Sequence, residues 1–186
     1  MYKRQLYILA NANVNNKSFN HKVVGTVTTN SGLEMKLKDL NIDLYRSDVG
    51  DKNVYSMMKK IGAIIGGESS GHIINAEYSP TGDALLTALI IIKESIKKDS
   101  AISDLVSDLD LLPVIDENID TDNLENINDD FLTHLTNNIN NENPEGRVVI
   151  RASGTEPLIR ISIENNDQVA SEKILESIVD AIKENG

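Results

Sequence analysis

The sequence predicts an α/β protein: a mixed, mostly parallel α/β/α sheet domain, then a small α+β domain with an antiparallel sheet and helices on one face. Three observations lead there. In the first half, β-branched runs alternate with stretches whose apolar residues recur at helical spacing. Around Asp99 to Pro113 that rhythm breaks. Beyond it the pattern is strand, helix, strand, strand, helix, centred on a hairpin at Arg151 to Arg160.

Taken in order, residues 1–20 look like a linker remnant carrying the end of a helix, which suggests a piece of a longer protein. His21 to Thr29 is rich in β-branched residues and reads as a strand. Ser31 offers a helix cap ahead of Leu33, Leu37 and Leu40. Ile42 to Arg46 is a short strand, and Val54 to Lys60 a short helix stopped by Gly62. Ala63 to Ile65 reads as a buried strand. Thr81 and Asp83 cap a helix with Leu85, Leu89, Ile92 and Ile96 along one face, the side expected to meet the core. Such alternation builds parallel sheets with flanking helices, so residues 21–110 form the expected first domain. Residues 111–186 form the second: a strand at Val114 to Ile119, a helix at Leu124 to Ile139, an Asn-rich loop at Asn137 to Glu145, the hairpin, and a helix at Val169 to Ile182.

Composition narrows the function. A formal net charge of -11 disfavours nucleic acid and anionic membranes, which need a positive footprint. The absence of cysteine excludes disulfides, thiolate metal sites and a cysteine nucleophile, and fits a reducing cytoplasm. His21, His72 and His134 show no metal-ligand spacing. The apolar run Ala88 to Ile92 is far shorter than the roughly 20 residues of a membrane span.

Two stretches carry chemistry. Arg151-Ala152-Ser153-Gly154-Thr155-Glu156-Pro157 forms a hairpin tip presenting a guanidinium, two hydroxyls and open backbone amides, a set suited to phosphate. Alternation puts Val148, Ile150, Ile159, Ile161 and Ile163 on the apolar face, leaving Arg151 and Arg160 on the polar one. The same residues also suit an exposed turn with two ordinary surface arginines. Gly66-Gly67-Glu68-Ser69-Ser70-Gly71-His72 follows a buried strand, where ligands bind in open α/β sheets. There Glu68 and Ser70 are equipped for vicinal sugar hydroxyls, although a glycine turn with a solvated glutamate fits too. Asp48 and Asp51 lack a third neighbouring ligand and read as helix cap and surface charge, not a metal site.

Together these two stretches and Thr81-Gly82-Asp83 resemble the α-D-phosphohexomutase superfamily, most closely its glucosamine branch. The resemblance implies that Glu68, Ser70 and His72 contact the sugar. It likewise implies that Arg151, Ser153, Gly154 and Thr155, with Arg160 beside them, grip its phosphate. Gly50-Asp51-Lys52 resembles the family's Gly-Asp-Arg turn at the active site, with lysine replacing the bidentate arginine. The family's phosphoserine loop and its aspartate-rich magnesium loop are not found in these residues. The resemblance therefore implies domains three and four of a glucosamine phosphate mutase. Magnesium and the phosphorylated serine would then belong to missing N-terminal domains, which become partners alongside glucosamine phosphate and its bisphosphate.

Overall fold

The first unit, residues 1–111, is built on strands β1 (Lys22–Thr26), β2 (Asp43–Ser47), β3 (Ile65–Gly67) and β4 (Ile73–Asn75). Their spatial order is β2-β1-β3-β4. β1 runs parallel to both β2 and β3, and β4 returns antiparallel beside β3. Residues 68–72 are too few for the crossover a parallel return requires. The computed structural model describes residues 2–120, 127–144, 146–154 and 156–185.

Successive residues of a strand point to opposite faces, and β1 divides its core accordingly. Val23 packs with Leu6, Leu9, Leu33, Leu37 and Ile91, from helices α1 (Tyr2–Ala12), α2 (Ser31–Asp39) and α4 (Ala84–Lys98). Val24 packs on the other face with Val54 and Met58 of helix α3 (Asp51–Ile61). This is the expected α/β/α layering.

The expected linker remnant is corrected by α1. Leu6, Leu9 and Ala10 are fully buried, so residues 2–12 are core rather than connection. Burying a leucine contributes about 1.5–3 kcal/mol, which explains why this segment docks on the sheet. The cap of α2 is Asn30, not Ser31: its side chain accepts from the Gly32 backbone N–H at 3.0 Å. β1 ends at Thr26 because Thr29 N–H turns back onto the Thr26 carbonyl at 2.8 Å. The third strand begins at Ile65 and runs through both glycines, later than expected. Gly66 is required there, since a Cβ would sit 2.5 Å from Met58 Sδ and 2.8 Å from Val54 Cγ1. The largest departure is in α4. Its supposed core face, Leu85, Leu89, Ile92 and Ile96, is exposed, and Thr87, Ile91 and Glu94 are buried instead.

The second unit, residues 112–186, holds strands β5 (Val114–Asp120), β6 (Arg147–Ala152) and β7 (Leu158–Glu164) in the antiparallel order β5-β7-β6. Helices α5 (Asp129–Glu142) and α6 (Gln168–Asn185) share one core with the sheet: Leu132 and Ile139 from α5, Ile174, Ile178 and Ile182 from α6. Both therefore lie on the face of Val148, Ile150, Ile159, Ile161 and Ile163. α5 is capped by the Asn128 side chain, which accepts from Phe131 N–H, and so starts later than expected; Leu124 lies outside the described residues. The helix also continues to Glu142 through asparagines read as a loop. No helix among the described residues is long and apolar enough to cross a membrane.

Candidate functional site

The β3–β4 turn gathers three of the expected residues around one carboxylate. Glu68 is buried, and its Oε1 accepts from the Ser70 hydroxyl at 2.5 Å and from His72 Nδ1 at 2.9 Å. Ser70 Oγ also lies 2.8 Å from His72 Nδ1. Glu68 Oε2 accepts the Gly50 backbone N–H at 2.9 Å. Burial alone would raise the Glu68 pKa. The hydrogen bonds from Ser70, His72 and Gly50, with the imidazole charge, outweigh it and hold the carboxyl below its ordinary value. Glu68 thus remains ionised, while Ser70 and His72 are exposed. With Nδ1 turned toward Glu68, the His72 Nε2 is the ring nitrogen left for another partner.

Within the Gly50-Asp51-Lys52 turn it is Gly50, through its backbone N–H, that reaches this cluster. It adopts φ +121°, a region favouring glycine. That conformation starts α3 and directs the N–H at Glu68, joining the β2–α3 loop to the β3–β4 turn. Asp51 and Lys52 form the exposed first turn of α3, where Asp51 Oδ1 accepts the Lys52 backbone N–H at 2.8 Å. Among the described residues there is no group of three or more metal-ligating side chains.

In the second unit the β6–β7 ladder places Arg151 directly opposite Arg160. The turn is closed by Ser153 N–H donating to the Leu158 carbonyl at 2.8 Å. Gly154 at its tip is exposed, and a Cβ there would meet nothing within 4 Å. Arg160 Nη2 pairs with Glu156 Oε2 at 2.5 Å, a contact the sequence did not announce. Arg160 Nε is buried and finds no hydrogen-bond partner among the described residues. The Arg151 guanidinium lies below its ordinary pKa, first through burial and then through the neighbouring Arg160 charge. Both effects disfavour the unaccompanied cation and would be relieved by an anion. Thr155 lies outside the described residues.

Comparison with known proteins identifies the family. A family model described as "Phosphoglucomutase/phosphomannomutase, alpha/beta/alpha domain III" matches residues 3–111, and that family's C-terminal domain model matches residues 118–181. Phosphoglucosamine mutase of Blochmanniella pennsylvanica is 38% identical over 165 residues, covering 88% of this chain and 36% of that protein. That of Finegoldia magna is 39% identical over 174 residues, covering 91% and 39%. The chain spans 33 to 41% of the length of such relatives. Among solved structures, Aspergillus fumigatus N-acetylphosphoglucosamine mutase, in complex with GlcNAc-6P and magnesium, superimposes with a TM-score of 0.79. That match, at 15% identity, covers 97% of this chain and 46% of the fungal one.

Proposed function

This chain belongs to the phosphoglucomutase/phosphomannomutase family, and on that premise we propose that it is the substrate-positioning part of a phosphoglucosamine mutase. The whole enzyme interconverts glucosamine 6-phosphate and glucosamine 1-phosphate, for amino-sugar nucleotide and cell-wall precursor synthesis in the cytoplasm. The observation that carries the reading is the opposed Arg151–Arg160 pair at an open turn, in a chain 38% identical to a phosphoglucosamine mutase.

In this reading a serine in another domain carries a phosphoryl group and gives it to the free sugar hydroxyl. The hydroxyl's proton is passed on, in net terms to the departing serine oxygen, as the new P–O bond forms and the serine P–O bond breaks. The resulting bisphosphate turns over in the cleft. The other phosphate then returns to serine, leaving the isomeric monophosphate. Magnesium, held by a domain this chain lacks, supplies charge stabilisation at the transferring group.

Such transfer depends mainly on positioning and electrostatics. Arg151, Ser153, Gly154 and Thr155 hold the phosphate that is not reacting, with Arg160 adding a second positive charge. Ser70 and His72 meet the sugar hydroxyls. Glu68, buried and ionised beneath them, fixes their orientation and keeps acceptor capacity for a hydroxyl. Asp51 and Lys52 follow Gly50, whose N–H binds Glu68, at the start of α3. Because the turn is open and the Ser70 hydroxyl can donate or accept, both orientations of the bisphosphate can be accommodated.

The test is a ³¹P NMR measurement of glucosamine 6-phosphate mixed with this chain. Binding should broaden the phosphate line, with no glucosamine 1-phosphate formed. Conversion by the chain alone would contradict the placement of the serine and the metal loop in other domains.

A further inference from the structure

Helix α4 is apolar on two sides. Ile91 faces the core at 7% exposure, while Leu85, Leu89, Ile92 and Ile96 stand outward at 71, 57, 46 and 75%. Their intervals of four, three and four residues line them up in a single stripe, the spacing of a helix–helix seam. Ala88, also exposed, borders the stripe and allows another backbone to approach. A helix apolar all round belongs in an interior. No other helix among the described residues leaves so many large apolar side chains in water.

We propose that this face of α4 is the docking surface for the part of the enzyme that its relatives carry beyond the third and C-terminal domains. The proposal rests on reading the chain as part of a longer mutase, and it assigns that partner a specific seat. The relatives devote most of their length to such a part, since this chain spans only 33 to 41% of them.

A second copy of the chain is the weaker occupant for two reasons. Each copy carries a net charge of -11, so two would repel. In addition, a 15-residue helix is about 22 Å long. One face of it falls well short of the roughly 800 Å² per partner typical of separately diffusing proteins. A domain tethered in the same polypeptide needs less, because its effective concentration is high. Exposed Lys93 and Lys97 flank the stripe, so the fitting partner surface is apolar with carboxylates at its margin.

The test produces the N-terminal remainder of the Finegoldia magna relative, tagged, in the same cells as this untagged chain. The chain should co-purify with it. The double variant Leu89→Asp/Ile92→Asp should keep its circular dichroism and co-purify roughly ten-fold less, the effect of about 1.4 kcal/mol. Because the chain has no cysteine, Leu89→Cys supplies a single reporter thiol. In a covalent fusion with the same remainder it should react roughly ten-fold more slowly than in the chain alone. Lys60→Cys, exposed on α3, should react equally in both.

Full co-purification of the double variant, with the Leu89→Cys thiol still reactive in the fusion, would overturn the surface and leave the mutase reading intact. Failure of the unaltered chain to co-purify, with the same reactive thiol in the fusion, would overturn both. A dimer of the chain alone that the double variant abolishes would assign α4 to a second copy, and would also overturn the proposal.

Discussion

Arg151 and Arg160 are direct register partners on β6 and β7, two guanidinium groups on the same face of one ladder. Like charges so placed oppose folding. Glu156 offsets the charge of Arg160, and the Arg151 guanidinium is left with a 3.5 Å contact to the Ala152 carbonyl. An arrangement that costs stability without a ligand and gains from a dianion is why we propose this turn as a binding device.

Arg151→Ala should therefore separate binding from stability. Charge-assisted hydrogen bonds contribute about 1.5–3 kcal/mol, so affinity for glucosamine 6-phosphate should fall roughly 10- to 100-fold. Urea denaturation should show stability unchanged or raised by up to about 1 kcal/mol, because the repulsion is removed. Calorimetric titration of both proteins checks the first half. A large loss of stability with unchanged affinity would make Arg151 structural.

The Glu68 cluster should leave an acid-side signature. Its folded pKa is depressed, so its contribution is present above the ordinary carboxylate range of about 4.3 and is lost as pH falls through the folded value. Unfolding midpoints measured from pH 7 downward should drop below about pH 4, and Glu68→Gln should flatten part of that slope.

Two glycines near this cluster are tied to backbone geometry. Gly50→Ala puts a side chain at φ +121° and should cost about 1–3 kcal/mol. Gly66→Ala drives a methyl into Met58 and Val54 and should cost a similar roughly 1–3 kcal/mol. Denaturant midpoints measure both. Only Gly50→Ala should also disturb the His72 ring resonances, since it alone shifts the N–H held by Glu68.

Tyr7 should resist ionisation. Burial, followed by its hydrogen bonds to Asp108 at 3.0 and 3.1 Å and the carboxylate charges of Asp108 and Asp39, pushes its pKa up to about 12. A raised pKa means its contribution holds below the ordinary value of about 10 and is lost between there and about 12. Ultraviolet titration should show a tyrosine step near pH 12, and Tyr7→Phe should remove that step.

Much of the fold was legible because it rests on local rules. The β-branched runs, the Asp83 cap, the Gly62 stop and the alternation of Val148 to Ile163 each state their structure nearby. What was missed depends on tertiary context. Periodicity located the α4 stripe but could not say which side of that helix meets the sheet. Residues 2–12 looked like a connection because their partners, Leu33, Leu37 and Ile91, are distant in sequence. At the site, Glu68, Ser70 and His72 were identified as a group and lie together. The Gly50-Asp51-Lys52 turn was identified, but the Gly50 hydrogen bond to Glu68 was not, because a backbone N–H leaves no mark on residue type. Glu156 was missed because an exposed carboxylate at a turn has many uses.

The central claim is that the Arg151 turn holds the substrate's phosphate. It is tested most directly by following backbone amide resonances of the intact chain during titration with glucosamine 6-phosphate. Arg151, Ser153 and Gly154 should shift first and saturably, and Arg151→Ala should abolish those shifts. Shifts that instead cluster at Asp48 to Lys52, or persist unchanged in Arg151→Ala, would contradict it.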